Sequence, residues 1–210
     1  DRAEDILTAH LQASSNFRGI RSAFPADLNE TFLTGFSLLE KYNLAYDNWS
    51  PDFTRLPRLA DLANKNPGVT VIVNHLGGKI DPSADEEELS AWREAIDSIA
   101  ACSNTVMKLG GAQMRVGDWE PPYHMHKADS PWDSDKFLST LLPRYQYAFE
   151  KFGPDRCMFE SNFPVDKDCI SYRTLWNLFK KMATNLGLSE SEKMSVFSGT
   201  AARAYRLDQP

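Results

Sequence analysis

The chain has 210 residues, 42% hydrophobic and 25% charged, with 23 Lys and Arg against 29 Asp and Glu and a formal net charge of −6. That is the composition of a soluble globular domain with length enough for one sizeable core. The acidic balance argues against a nucleic-acid or membrane-surface partner, and no apolar stretch approaches the roughly 20 residues that cross a bilayer.

In chain order, residues 1–14 read as an amphipathic helix with Ile6, Leu7 and Leu11 on one face. FRGIR (17–21) reads as a strand. A loop follows, with Asn29 or Thr31 as N-cap of a helix from Thr31 to Tyr42. LAYDNW (44–49) is a second strand. Residues 55–66 carry Leu56, Leu59, Leu62 and Ala63 at helical spacing, and Asn66-Pro67-Gly68 stops them. VTVIVNH (69–75) is the clearest strand, apolar and β-branched, as a strand buried on both faces would be. A helix over 85–102 has an acidic first turn that suits its dipole.

TVMKL (105–109) is the fourth strand, closed by Gly110-Gly111, which read as punctuation. A long loop, 112–132, holds Trp119, His124 and His126; loops of this length are often lids. The His-Met-His spacing there does not imply a chelating geometry. A helix over 134–152 ends at Gly153-Pro154, and CMF within RCMFESNFPVD is the fifth strand. Helices over 171–186 and from Ser189, with a Ser189/Glu192 capping box, finish the chain. Five strand–helix alternations in one domain, 1–210, predict an α/β fold with a parallel sheet. The cysteines, Cys102, Cys157 and Cys169, are odd in number and lack CxxC spacing. They read as free thiols in a reducing, cytoplasmic setting, with Cys157 a small buried hydrophobe. The opening DRAED does not read as a signal peptide.

In a parallel α/β sheet, chemistry gathers at the carboxyl ends of the strands. Here those ends carry Arg21, Asp47 with Trp49, Asn74 with His75, Lys108, and Glu160-Ser161-Asn162. His75 is open to three roles: metal ligand, acid/base, or donor to a substrate carbonyl; a plain backbone partner is the fourth reading. Arg21 suits a bidentate clamp on a substrate carboxylate, or an ion pair with Asp47. Lys108 needs a carboxylate, from the protein or from substrate. No phosphate-cradling Gly loop and no GxSxG elbow occur.

The set FRGIR, VIVNHLGG, RCMFESNFP and FSGTAARAYRL, in this order, resembles the amidohydrolase-related branch of the amidohydrolase superfamily. That branch includes sugar-acid and pyrone-dicarboxylate lactonases and semialdehyde decarboxylases. The resemblance implies a (β/α)8 TIM barrel, with FRGIR as strand four and RCMFESN as strand eight. It implies a hydrolase that opens a small carboxylated lactone, ester or amide by an activated water. The alternatives are a decarboxylase of the same branch or a catalytically impaired binding protein. It implies one zinc-like divalent metal or none, a small-molecule substrate, and leaves a homo-oligomer open.

By the match, His75 is the strand-six histidine, which binds metal or polarises the carbonyl, and Arg21 the arginine that engages substrate carboxylates. Asp47, Trp49 and Lys108 are expected to line the substrate. Two departures matter. Barrel strands one to three, with the family's HxH motif, have no counterpart, which is expected of the C-terminal part of a protein of roughly 300 residues or more, or of a chain whose open sheet edge a partner chain covers. Asn162 stands where the family ends strand eight with an aspartate that acts as general base or binds metal. An amide cannot take a proton there, but Asn162 is still expected to orient a water or a carbonyl. Glu160, two residues back on the same strand face, is expected to reach the cavity instead.

Overall fold

The computed structural model describes residues 2–79, 84–112 and 129–207. Five strands form one sheet: β1 (Gly19–Ala23), β2 (Ala45–Trp49), β3 (Val71–Val73), β4 (Thr105–Leu109) and β5 (Cys157–Phe159). All pairs are parallel, and the spatial order is the chain order, β1 to β5. A doubly wound sheet reverses its order at a switch point. An unreversed order, each strand beside the next, is that of consecutive strands in a (β/α)8 barrel.

The helices are α1 (Arg2–Ala13), α2 (Glu30–Lys41), α3 (Leu56–Lys65), α4 (Glu86–Ala100), α5 (Ser134–Phe152), α6 (Tyr172–Asn185), α7 (Glu190–Met194) and α8 (Thr200–Tyr205). Their starts follow the sequence signals. Asn29, Asp85, Asp133 and Ser171 each accept a backbone N–H of the first turn, and Ser189 and Glu192 close the capping box. Each cap is worth about 1 kcal/mol. On α1 only Leu7 is buried, and Ile6, expected beside it, is turned to solvent.

The strand alternation divides two cores. Tyr46, Val71, Val73, Met107, Leu109, Cys157 and Phe159 face the helices and join the main core with the Leu56-Leu59-Leu62-Ala63 stripe of α3. Ala45, Ile72 and Met158, with Val106 beside them, face the opposite side, the lumen of the curved sheet. There Ala201, Ala204 and Tyr205 of α8 close over them. Both faces are thus apolar, as expected of buried parallel strands. All three cysteines are buried, and none is in a disulfide. No described helix is long and apolar enough to cross a membrane.

Two strand readings shift. FRGIR enters the ladder only at Gly19, which lies against the Ala45 backbone where a side chain has no room. VTVIVNH gives a ladder of only Val71–Val73, and the chain then turns away from the sheet at Asn74. That early turn creates the site.

Candidate active site

The floor of the site is built on Asp47. On β2 it shares the lumen face with Ala45 and Trp49, and the register sets it beside Arg21. Its carboxylate accepts from Lys108 Nζ at 3.0 Å, from the Tyr205 hydroxyl and from the Asn74 amide. Burial alone would raise the Asp47 carboxyl. The Lys108 charge and the bonds from Tyr205, Asn74 and Lys108 outweigh it and hold the group below its ordinary value. Burial and the same bond push the Tyr205 phenol the other way, far above its ordinary range, so it stays a donor. The floor is therefore a neutralised pair that keeps one orientation.

Above it sits His75. After β3 the chain leaves the sheet through a short turn in which His75 and Leu76 have φ of 54° and 56°, unusual for side chains this large. Neighbours hold the turn: Trp92 Nε1 donates to the Leu76 carbonyl at 3.1 Å, and Gly77 N to the Asn74 carbonyl at 3.0 Å. The turn aims the buried imidazole at the carboxyl end of the sheet. Trp49 packs edge-on against it, ring centres 4.8 Å apart. Nδ1 lies against Oε1 of Glu160 in ion-pair contact, off the axis of a straight N–H···O bond.

This close approach depends on Gly110-Gly111. Any Cβ at Gly111, whose φ is +70°, would strike the His75 ring, and one at Gly110 would strike Glu160. The two glycines do more than punctuate: they make the room in which histidine and glutamate meet. Beside them is a small cavity lined by His75, Leu76, Gly111 and Arg144 among others.

Beyond β5 the backbone does not continue as a strand. Asn162 has φ of 50°, so the period-two argument that placed Glu160 and Asn162 on one face fails. Glu160 turns to His75. Asn162 donates its Nδ2 to Oδ1 of Asp166 at 2.7 Å. Asp166 is fully buried, and its carbonyl accepts from Cys169 N and Ile170 N at 3.0 Å each. Burial pushes its carboxyl up to about 7; the Asn162 bond pulls down and the Glu160 charge pushes up.

The structure thus joins Trp49, His75 and Glu160 in one contact chain, with the Arg21 guanidinium 5.9 Å over the Trp49 ring. Arg21 is exposed, and Asp47 is taken by Lys108 rather than by Arg21. Sequence reasoning gave no site role to Tyr205, Gly110, Gly111 or Asp166. Asp166 was visible only as one of the two carboxylates nearest Asn162 in the sequence. Tyr205 comes from the far end of the chain, which no local pattern could show. The His124-Met125-His126 segment lies outside the described residues.

A zinc ion needs three or four converging donors. No three His, Cys, Asp or Glu side chains converge among the described residues. His75 and Glu160 make two, and the Glu160 oxygen nearest His75 is already against the imidazole. The described residues do not by themselves fit a metal, and His75 as a ligand lacks companions among them.

Comparisons with known proteins bear on the family and the fold. A family model described as amidohydrolase matches residues 13–207. The protein y4mH of Sinorhizobium fredii, itself uncharacterised, is 34% identical over 97% of this chain and 65% of its own length. An L-fucono-1,5-lactonase of Burkholderia multivorans is 28% identical over 85% of this chain and 57% of its own length. The chain thus spans less than two thirds of the length of these curated relatives. The crystal structure of a Burkholderia multivorans amidohydrolase with bound zinc superposes with a TM-score of 0.77 at 23% identity, over 99% of this chain and 72% of that one. The shared fold is the TIM barrel.

Proposed function

This chain belongs to the amidohydrolase family, and from that premise we propose that it carries the histidine–carboxylate end of a hydrolase that opens small carboxylated or polyhydroxylated lactones. The observation that carries the reading is the His75–Glu160 pair at the strand ends, a buried imidazole against a half-buried carboxylate, beside Trp49 and two glycines whose lack of a Cβ leaves room for both side chains. With Nδ1 held against a carboxylate, the free nitrogen of the imidazole, Nε2, is the basic one. Glu160 fixes the ring and stabilises the imidazolium that forms.

The chemistry then balances without further groups. A water gives one proton to Nε2 as its oxygen bonds to the lactone carbonyl carbon. The tetrahedral intermediate collapses, the ring C–O bond breaks, and the proton passes from Nε2 to the leaving ring oxygen. Arg21, exposed and braced on Trp49, is placed to hold a substrate carboxylate or hydroxyls. Lys108 and Asp47 form the rigid floor. The lactonase relative makes sugar-acid lactones, L-fucono-1,5-lactone among them, the first substrates to try.

The test is proton release on a panel of five- and six-membered aldonolactones, with products identified by mass. Glu160→Gln should lose on the order of 10²-fold or more in kcat. Unchanged turnover in that variant would remove the dyad from the mechanism. Release of CO₂ instead of a ring-opened acid would make the protein a lyase, and hydrolysis of no lactone would remove the activity.

A further inference from the structure

We infer that Asp166 is the positioning residue of this site: by accepting from the Asn162 amide it decides which end of that amide is offered to the substrate. An asparagine side chain has two ends of nearly equal shape and opposite polarity, an acceptor oxygen and a donor NH₂. The contact at 2.7 Å joins Asn162 Nδ2 to Asp166 Oδ1. An ionised carboxylate can only accept, so it binds the NH₂ end. The oxygen end is left for the site, where it can hold the O–H of a water or a substrate hydroxyl. Offered the other way round, the amide would hold a carbonyl oxygen instead. A protonated Asp166 can donate, and so permits that second orientation.

Asp166 is well placed to act this way. It is fully buried, its backbone carbonyl is tied to two following N–H groups, and its Oδ2 has no hydrogen-bond partner among the described residues. The titratable groups that face it are Tyr145 from α5, Glu160 beyond β5 and Cys169 in the next turn. Tyr145 is raised by burial and by the charges of Asp166 and Glu160, and Cys169 is pushed up to about 12, so both stay protonated near neutral pH. Unlike Tyr145 and Cys169, Asp166, held near 7, changes charge there. The amide orientation rests on the Asn162–Asp166 contact and on the charge Asp166 carries, while its use in turnover rests on the lactone-hydrolase reading.

The test needs no substrate. The side-chain amide resonances of ¹⁵N-labelled Asn162 should move with a single inflection near pH 7 in the wild-type protein, and should stay flat in Asp166→Asn. Flat wild-type resonances, or the same inflection in the variant, would overturn the inference. This holds whether or not the protein hydrolyses lactones. For an active lactone, kcat should lose its inflection near 7 in Asp166→Asn while KM changes less than about twofold; an intact kcat profile would remove the positioning role.

Discussion

Asp166→Asn should make the protein more stable above neutral pH. In an unfolded chain the aspartate ionises near 3.8; in the folded protein burial holds it near 7. At pH 8 the folded state therefore keeps a buried charge that the unfolded state would carry in water. At 1.36 kcal/mol per pH unit the difference from 3.8 to 7 costs about 4 kcal/mol. At pH 5 most of that cost is gone, because the folded carboxyl is protonated, and roughly 1.5 kcal/mol remains. An asparagine has the same shape, can still accept from Asn162 and never ionises. Its own buried amide costs about 1–3 kcal/mol at every pH. The difference in stability between variant and wild type should thus shift by roughly 2–3 kcal/mol in the variant's favour from pH 5 to pH 8. Urea unfolding at the two pH values reads this directly: with a slope near 2 kcal/mol/M, the midpoint difference moves by roughly 1 M. A difference that does not change with pH, or that turns against the variant at pH 8, would refute the buried-charge account.

Gly111→Ala tests the packing of the dyad: its Cβ must displace the His75 ring, and kcat/KM should fall on the order of 10²-fold with a smaller loss of stability. Wild-type rates in that variant would show that the ring need not sit against residue 111. Lys108→Met should cost about 3–5 kcal/mol in urea unfolding, because it leaves the Asp47 carboxylate buried without its cation. Tyr205→Phe should cost about 1.5–3 kcal/mol, the worth of a hydrogen bond to a charged acceptor. A neutral result for both would mean that the floor is solvated rather than paired.

Much of the fold was legible because its signals are local. The leucine stripe of α3, the capping residues and the β-branched core strand needed only spacing and side-chain chemistry, and they specify alternating layers. The candidate site was legible only to the level of which strand ends carry polar groups. Its geometry is made by features a pattern does not hold. His75 faces Glu160 because two residues past β3 the backbone enters a conformation with positive φ. Glu160 and Asn162 part company because β5 ends at Phe159, so a two-residue rule had no strand left to act on. Asp47 meets Tyr205 across most of the chain's length, a contact fixed by how α8 closes the lumen.

Asp47 and Asp166 answer different demands, and their pH signatures separate them. Asp47 is held below its ordinary value, so its contribution to stability is present above about 4 and is lost as the pH falls through the folded value. Asp166 is raised, so its folded form binds protons more tightly than the unfolded chain. Its contribution is fully present below 3.8 and is lost as the pH rises to about 7. A paired carboxylate such as Asp47 can be explained by stability alone. A carboxylate that weakens the fold at neutral pH cannot. An asparagine would fill the Asp166 site at lower cost, but its two-ended amide could not select one orientation of Asn162. The charge at Asp166 is accounted for by the constraint it places on its neighbour.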